Sequence, residues 1–528
     1  MTSTRSPAPD YGIIFNNDGG YLKAAEFPLS VPDLVDRVYR PLEGTQVGAL
    51  SWCVGAEEAQ WLSKSLAMVG DAEGRRYHSV SNMRRAESLR AMLDRGDDLY
   101  GDMVRRGHEL GLHVYAAIRM NDNHFWSDAG RRAAPLSPEG MADTVRPHLT
   151  QFRKDHPEWV LGDGAPRWAA TSWNMAIPEV REYALQRIIE ACALADWDGV
   201  EIDWQRHAFH LPEYDAYRLR YTLTDLMRGV RRMTDEIAAR RGRPFYVLAR
   251  VGATRETNRR IGYDVATWIE EELCDMVATN ANSGTDPGVD VEAYLEMMAG
   301  TPAKLYPGFD SHGEWGTGHL LVPASWRAAW FRGLAQGYYE RGAAGVHAFN
   351  WHNHVHVVRS LLETVGAPDT LRGTDKVFAA VKRHVRARSE LRYGAERDDR
   401  LQGEVPVELH RTLTGGGTLF HVDVWEDAGE AVAVELQIEL DHLAPLDRIA
   451  VELDGSRLGE AVRRDPAAED DSNPSDVSEN GWLTWELRSS QLAWGKHRIE
   501  VILVERDHRL RPPLVVQNVE IHVRFQRA

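Results

Sequence analysis

A short apolar segment, a few polar residues and then a segment with helical periodicity follow one another eight times in the first part of the chain. Short apolar runs bounded by polar residues are typical of buried strands, and the periodic segments are typical of helices. Strands that alternate with helices predict a parallel sheet, because a parallel connection must cross one face of the sheet. Eight units favour an α/β fold of the closed (β/α)8 type, a TIM barrel, over an open sheet. The predicted strands cover residues 11–15, 47–50, 112–118, 198–203, 245–251, 275–279, 303–306 and 345–349.

The last part of the chain has a different periodicity. Segments in which apolar and polar residues alternate are typical of sheets with one face in water, and they lie at 419–424, 431–438, 448–453, 483–487, 499–504 and 519–525. We predict a barrel domain over residues 1–385 that ends in a helix near 376–385. A charged linker over 386–404 and a C-terminal all-β sandwich domain over 405–528 follow.

Composition excludes several classes of partner. The chain has 62 basic and 79 acidic residues, a formal net charge of −17, which repels nucleic acid and anionic membrane surfaces. Cys53, Cys192 and Cys274 are far apart in apolar segments, so we expect buried thiols rather than disulfides or a zinc cluster. No apolar leader or membrane-spanning run is present, so we expect a cytoplasmic protein, and homo-oligomerisation stays open.

Acidic residues lie on the inward face of the fourth predicted strand, within the run Asp198 to His207. Side chains alternate along a strand, so Glu201 and Asp203 share one side while Val200 and Ile202 share the other. If the apolar side packs on helices, the two carboxylates point into the barrel. Residues at the C-terminal ends of barrel strands form the active sites of this fold.

Arginines end the two predicted strands that flank these carboxylates. Arg119 ends the third strand and Arg250 ends the fifth, so the two guanidinium groups are expected to bracket Glu201 and Asp203. For Glu201, which lies deeper, a structural ion pair is the favoured interpretation. For Asp203 we predict a catalytic role, because an arginine keeps a carboxylate ionised and suits it to act as nucleophile or charge stabiliser.

A proton donor must then come from another strand end. Asp122 follows the third strand, Glu256 the fifth, and Asp310 and Glu314 the seventh. Asp310 is favoured because it lies on the opposite wall, and a solvated loop carboxylate is the alternative for each. Separations for retention or inversion are both reachable across a barrel mouth, so the stereochemistry stays open.

Other side chains at the strand ends are predicted to bind substrate. The tryptophans could stack on sugar rings or belong to the core. His352 and His354 have a spacing seen among metal ligands, but strand one ends in Asn16-Asn17-Asp18 without histidine, so we expect neither metal nor cofactor. The predicted binding residues are Arg119, Asn121, His124, Trp173, Glu201, Arg206, Arg250, Asn280, His312, Trp351 and His352.

Three segments, 119–122, 178–182 and 198–207, resemble the bacterial family-10-like glycoside hydrolases. The resemblance implies a TIM-barrel carbohydrate hydrolase, often with a C-terminal β domain. True family 10 xylanases have an Asn-Glu pair at the end of strand four, where this chain has Asp203-Trp204, so their catalytic roles are not transferred.

The fourth strand is also similar to the Asp-Gly-x-Asp-x-Asp-Trp-Glu motif of family 18 chitinases. This chain has Glu201 in place of an aspartate and Gln205 in place of the catalytic glutamate. Glutamine cannot donate a proton as a general acid, so the chitinase mechanism is not transferred. Asp203 is therefore the better catalytic candidate on this strand.

These observations predict a glycoside hydrolase that cleaves a soluble oligosaccharide with two carboxylates. The alternatives are a barrel that only binds carbohydrate, which Gln205 favours, and a metal-dependent hydrolase. The cationic groups Arg119, Arg206 and Arg250 also bear on the substrate. An arginine left without an internal carboxylate would suit an acidic sugar, whereas complete internal pairing would suit a neutral one.

Overall fold

The computed structural model confirms the predicted fold class. It describes residues 6–23, 26–126, 136–166, 169–280, 285–310, 324–351, 355–382, 404–411, 416–464 and 480–525. Eight parallel strands pair in chain order, and the barrel closes where the eighth strand pairs with the first. The barrel strands are β1 (Ile13–Asn17), β2 (Val47–Gly55), β3 (His113–Arg119), β4 (Gly199–Asp203), β5 (Tyr246–Val251), β6 (Met276–Thr279), β7 (Lys304–Asp310) and β8 (Val346–Phe349).

Helices occupy the connections between the barrel strands. Their starts follow local chemistry, as in the first helix, where the Ser30 hydroxyl accepts a hydrogen bond from the Asp33 amide. No helix in the described ranges combines the length and apolar character of a membrane span. The helices are α1 (Val31–Tyr39), α2 (Val80–Asp94), α3 (Leu99–Glu109), α4 (Gln151–Asp155), α5 (Pro178–Cys192), α6 (Ala216–Leu219), α7 (Tyr221–Arg241), α8 (Arg255–Ile261), α9 (Val265–Glu270), α10 (Val291–Met298), α11 (Ala324–Glu340), α12 (Val355–Leu362) and α13 (Pro368–Leu371).

The barrel interior changes from apolar to charged along the strands. Near the N-terminal ends of the strands, the hydroxyl groups of Tyr11 and Tyr115 form a hydrogen bond of 2.8 Å. Both residues belong to a buried cluster that includes Leu248 and Tyr306. Glu201 lies above this cluster and is fully buried. The outward face of the strands packs on the helices, which form the large core. The charged end of the interior is therefore the C-terminal end, where the site was expected.

The C-terminal part of the chain is a sandwich of two antiparallel sheets, as predicted. One sheet has the order β10-β18-β12-β16-β15, with β9 also paired to β18, and the other has the order β11-β17-β13-β14. Their inner faces share one apolar core. The strands are β9 (Lys376–Ala379), β10 (Val407–Glu408), β11 (Thr418–Val424), β12 (Ala433–Asp441), β13 (Arg448–Leu453), β14 (Ser456–Arg457), β15 (Val462–Arg464), β16 (Asn480–Glu486), β17 (Gly495–Glu505) and β18 (Val515–Arg524).

One predicted element is wrong. Residues 376–379 form strand β9 rather than the start of a helix, because their backbone pairs with residues 520–523 of β18. Val377 and Phe378 are buried in this position. Apolar residues in so short a run do not distinguish a strand from a helix, and the long-range pairing decides between them. The other domain boundaries stay predictions, and most of the predicted linker lies outside the described residues. The three cysteines are buried and free, as expected.

Gly199, at the start of β4, offers a test of this packing. A Cβ at this position would lie 2.3 Å from the Tyr246 carbonyl oxygen and 2.5 Å from the Tyr115 ring. We expect Gly199→Ala to lower the free energy of unfolding by about 1–3 kcal/mol, the usual cost of overpacking. The measurement is the denaturant midpoint of the barrel. Gly140→Ala is the control, since its nearest neighbours lie at 3.4 and 3.5 Å; equal midpoints for the two variants would contradict this packing.

Candidate functional site

The barrel axis near the C-terminal mouth holds a buried ion pair. Arg250 Nη1 lies 2.7 Å from Asp203 Oδ1, and both side chains are almost fully buried. The same oxygen accepts hydrogen bonds from the backbone N–H groups of Gln205 and Arg206, at 3.0 and 2.9 Å. Three donors at one oxygen stabilise the charged form of a carboxylate. The expected pairing of Asp203 with Arg250 is therefore present.

The second bracketing arginine has a different partner. Arg119 is level with Asp203 in the strand register, but its Nη2 lies 3.1 Å from Asp18 Oδ2. Asp18 follows β1 and is about a quarter exposed, with 24% of its side-chain surface accessible. Burial alone would lower the pKa of Arg119, but the neighbouring Cys53 and then the carboxylates of Asp18, Asp122 and Asp203 raise it. The guanidinium group thus links the mouth of the barrel to the loop after β1.

Glu201 lies one layer deeper and is bonded across the barrel. Its Oε1 accepts a hydrogen bond from Asn16 Nδ2 at 2.9 Å, and its Oε2 lies 3.4 Å from His347 Nε2. Burial opposes the charge, yet His347 and the other neighbours lower the pKa of Glu201 below its usual value. These contacts give Glu201 a structural role in the interior, in line with the favoured interpretation of the sequence.

A cavity of about 230 Å³ opens beside these strands, on the side of β1, β2 and β3. It is off the barrel axis, because Arg119 belongs to its wall and Asp203 and Arg250 do not. Its lining residues are Asp18, Gly19, Gly20, Lys23, Cys53, Ala56, Glu57, Glu58, Gln60, Val69, Asn82, Arg85, Arg119, Asp122, His124, Pro147 and His148. Two predicted site residues besides Arg119, namely Asp122 and His124, thus meet at this cavity.

Asp122 and His124 form a hydrogen-bonded pair on the cavity wall. His124 Nδ1 lies 2.5 Å from Asp122 Oδ1, and Arg206 Nη2 lies 3.1 Å from His124 Nε2. A guanidinium group can only donate, so Nε2 accepts and the ring proton is on Nδ1, bonded to the carboxylate. Burial first, and the charges of Arg206 and Arg119, lower the pKa of His124, despite the opposing effect of Asp122. The ring is therefore neutral near pH 7.

His207 lies against this pair. Its Nδ1 is 3.8 Å from Asp122 Oδ1, and it accepts a hydrogen bond from the Asn123 N–H at 3.3 Å. Burial would raise the pKa of the Asp122 carboxyl, but His124, His207 and His148 hold it well below its usual range. Ligand atoms of Asp122, His124 and His207 all lie within 4.8 Å of one another, so this group could hold a metal ion.

Sequence reasoning missed a second buried ion pair. Glu57 follows β2 and accepts two hydrogen bonds from Arg153, Nε to Oε1 at 3.2 Å and Nη2 to Oε2 at 2.6 Å. The Thr150 hydroxyl and the Trp173 indole N–H donate to the same carboxylate. Burial alone would raise the pKa of Glu57, but Arg153 and Arg187 lower it. The Ala56-Glu57-Glu58 run gave no periodic signal, so only the fold reveals its role.

The two predicted tryptophan platforms lie inside the protein. Trp173 is 1% exposed and packs under the Arg153 guanidinium at 4.2 Å, while Trp351 is fully buried and stacks on Phe309. Neither ring presents a face to a sugar in this conformation. Asn121 is also used internally, because its side chain bonds to the Phe209 carbonyl and to the Trp173 N–H. Asn121 and Trp173 stabilise the segment between β3 and α5, whereas Trp351 packs against Phe309 of β7 and Phe331 of α11.

The remaining predicted residues that the structure describes do not line this cavity. Asp310 ends β7, is 1% exposed, and its backbone N–H donates to the Thr285 hydroxyl at 2.9 Å. Glu256 lies in the first turn of α8, half-exposed, 3.9 Å from Arg259. Asn280 is fully buried after β6. His312 and His352, together with Glu314 and His354, lie outside the described residues.

Carbohydrate-active enzymes are among the solved structures to which this chain is distantly similar. The C-terminal domain of a putative chitinase from Desulfitobacterium hafniense DCB-2 is 13% identical, with a TM-score of 0.37, over 69% of this chain and 99% of that one. A glycoside hydrolase family 18 N-acetylglucosaminidase from Paenibacillus barengoltzii is 11% identical, with a TM-score of 0.36, over 68% of this chain and 100% of that one. A GH36 alpha-galactosidase from Geobacillus stearothermophilus is 13% identical, with a TM-score of 0.31, over 98% of this chain and 56% of that one.

The chain therefore spans about half the length of the alpha-galactosidase. At these identities and TM-scores the likeness carries no argument about fold or activity. None of these three structures is a family-10-like protein, so that resemblance stays a prediction. No protein-family model matches the chain, and no curated protein is significantly similar to it.

The Glu57–Arg153 pair generates a stability prediction. Glu57→Gln leaves Arg153 buried without its counter-charge, and we expect the free energy of unfolding to fall by about 3–5 kcal/mol. Because the pKa of Glu57 is lowered on folding, its contribution is present above the ordinary glutamate pKa and is lost as pH falls through the folded value.

The measurement is the unfolding midpoint of both proteins at several pH values. We expect the difference between wild type and Glu57→Gln to be constant above about pH 5 and to shrink in acid, below the ordinary glutamate pKa of about 4.3. Glu182→Gln, an exposed position on α5, is the matched control. A Glu57→Gln protein as stable as this control would show that the ion pair is dispensable.

Proposed function

We propose that this protein is a glycoside hydrolase that binds a soluble oligosaccharide in the cavity beside β1–β3. The observation that carries the proposal is a continuous set of contacts between two carboxylates at neighbouring strand ends. The Arg206 backbone N–H donates a hydrogen bond to Asp203 Oδ1, and the Arg206 side chain contacts His124. His124 in turn is hydrogen-bonded to Asp122. Two carboxyl groups in one barrel mouth are the minimum for glycoside cleavage.

Asp203 supplies fixed negative charge in this proposal. Its Oδ1 accepts hydrogen bonds from Arg250 and from two backbone N–H groups, which hold the carboxylate in place. A positive charge develops on the sugar in the oxocarbenium-like transition state, and Asp203, which does not line the cavity, acts on that charge at a distance. This matches the role of charge stabiliser expected from the sequence.

The Asp122–His124 pair supplies the proton. A proton donor must come within hydrogen-bond reach of the substrate, and Asp122 lines the cavity whereas Glu256 and Asp310 do not. The 2.5 Å bond between Asp122 Oδ1 and His124 Nδ1 already contains the ring proton, so a further proton binds at a lone pair of the Asp122 carboxylate and passes from there to the glycosidic oxygen of the leaving group. Since the pKa of Asp122 is lowered, the pair takes up this proton only in acid. The pair therefore replaces Asp310 as the preferred proton donor.

Substitution of these carboxylates tests the proposal. We expect Asp203→Asn and Asp122→Asn each to reduce kcat by at least about 100-fold, the usual scale of acid–base or electrostatic catalysis. Glu256→Gln is expected to leave kcat unchanged, because this carboxylate faces Arg259 on a helix surface. Released reducing sugar from a glycan panel gives the rates, and circular dichroism checks folding. A folded Asp203→Asn protein with a near-normal rate would contradict the catalytic role assigned to Asp203.

The pH profile gives a second readout of the proton donor. In the wild type, kcat/KM should rise as pH falls from 7, since the fraction of Asp122–His124 pairs that carry a proton grows. In Asp122→Asn this rise should disappear, while Asp310→Asn should retain it. The opposite result would return the donor role to Asp310.

A metal-dependent hydrolase is the second candidate, and the Asp122, His124 and His207 cluster favours it. Asp122, His124 and His207 are the residues that would hold the ion, and a bound divalent ion would activate water. However, the Arg206 guanidinium lies 3.1 Å from His124 Nε2, and the Asn123 N–H points at His207 Nδ1. The positive charge of Arg206 and the N–H group of Asn123 therefore oppose the binding of a metal ion at these two nitrogens.

Chelation separates the two candidates. We expect activity, measured after dialysis against EDTA, to equal the untreated rate, because the hydrogen-bonded cluster works without an ion. Isothermal calorimetry with zinc or manganese should show no tight site that depends on His207. Activity lost to EDTA and restored by either metal would transfer the assignment to the metal-dependent candidate.

A further inference from the structure

One wall of the cavity carries more positive than negative charge. Lys23 ends the 3-10 helix Gly20–Lys23, Arg85 lies on α2, and Arg119 ends β3, so three separate elements bring cations to one place. Asp18 is the carboxylate on this wall, and its ion pair is with Arg119. Three cations thus face one anion among the described residues.

Arg85 and Lys23 lack protein partners within the described ranges. The Arg85 Nε atom is buried without a hydrogen bond there, and neither side chain has an ion pair to a described residue. The two charges also act on each other, because partial burial first, and then repulsion from Arg85, lowers the pKa of Lys23. A buried guanidinium nitrogen without an acceptor is costly, and an anionic ligand would satisfy it.

The other carboxylates of the cavity have hydrogen-bond donors away from Lys23 and Arg85, although the charge of Asp122 also acts on Arg119. Glu57 is bonded to Arg153, Asp122 is bonded to His124, and Glu58 Oε2 lies 2.9 Å from His148 Nδ1. Glu58 Oε1 also accepts hydrogen bonds from two backbone N–H groups. Each of these anions therefore has its own donors.

The same cavity offers an acceptor for a hydroxyl group. Gln60 is 2% exposed, its Nε2 donates to the Cys53 carbonyl at 3.3 Å, and its Oε1 has no donor among the described residues. A buried carbonyl oxygen without a donor is also unfavourable. A ligand that carries both an anionic group and hydroxyl groups satisfies both deficiencies.

We propose that Lys23, Arg85 and Arg119 form a subsite for the carboxylate of an acidic sugar, with Gln60 accepting a hydroxyl of the same unit. The inference rests on the proposed function and names its substrate class, an oligosaccharide that contains uronic acid. The cations proposed to bind the substrate carboxylate also differ from those expected from the sequence. Arg250, expected from the sequence to bind the substrate, is paired with Asp203.

Binding of monosaccharides tests the subsite without any need for turnover. The probes are glucuronate, glucose and inorganic sulfate, titrated by calorimetry or by ligand-observed NMR. We expect glucuronate to bind wild type more tightly than either of the others, and Arg85→Gln to weaken it by at least about tenfold, the scale of one charge-assisted hydrogen bond. Arg85→Lys should keep part of the affinity because it keeps the charge.

Arg84→Gln is the matched control, since Arg84 is the neighbouring residue on α2, is similarly exposed and does not line the cavity. It should leave glucuronate binding unchanged. If Arg84→Gln and Arg85→Gln weaken glucuronate binding equally, the loss of affinity comes from the change in net charge, and the proposed subsite is wrong. Glucose binding as tightly as glucuronate would also overturn it, and so would sulfate binding as tightly, which would indicate a site for free inorganic anions.

The two proposals fail separately. If glucuronate binds through Arg85 but no oligosaccharide is cleaved, the glycosidase assignment fails and the subsite stands. If neutral oligosaccharides are cleaved and Arg85→Gln has no effect on binding or on the rate with matched uronic-acid oligosaccharides, the subsite fails and the glycosidase assignment stands.

Discussion

The ion pair between Arg250 and Asp203 is the interaction on which the mouth of the barrel depends. Two charges inside a barrel are costly to desolvate, so both must be compensated. Arg250 is fully buried, and its guanidinium carbon lies 3.8 Å from the centre of the Phe349 ring on β8. The arginine of β5 thus reaches both β4 and β8. Asp203 in turn holds the backbone of residues 205 and 206, which fixes the direction of the chain after β4.

A second set of buried charges fixes the long segment between β3 and α5. The Glu57 carboxylate accepts hydrogen bonds from Arg153, Thr150 and the Trp173 indole, which belong to that segment. Arg153 also donates to the Thr171 carbonyl. In its described residues this segment has only short regular elements such as α4, and the buried Glu57 carboxylate accepts hydrogen bonds from several of its donors. This bracing explains why Trp173 is buried and not a sugar platform.

The two proposals connect in the cavity between these charged centres. Arg119 belongs to the cationic wall and is level with Asp203 in the strand register, while Asp122 follows it by three residues. An acidic sugar held on the cationic wall would therefore place a neighbouring sugar toward Asp122. The overall charge of −17 opposes the approach of an anionic ligand, so a local cationic wall is needed for such a ligand to bind.

The sequence by itself determined the barrel, the sandwich and the position of the charged residues at the strand ends. Period and polarity along a strand are local properties, and they fix which side of β4 carries Glu201 and Asp203. Tertiary structure decided the partners, because a pairing such as Arg119 with Asp18, or Glu57 with Arg153, depends on distances between residues far apart in the chain. Strand β9 shows the same limit, since pairing with β18 and not local pattern made it a strand. The cavity with Lys23 and Arg85 arises from three separate elements, so no segment of sequence contained it.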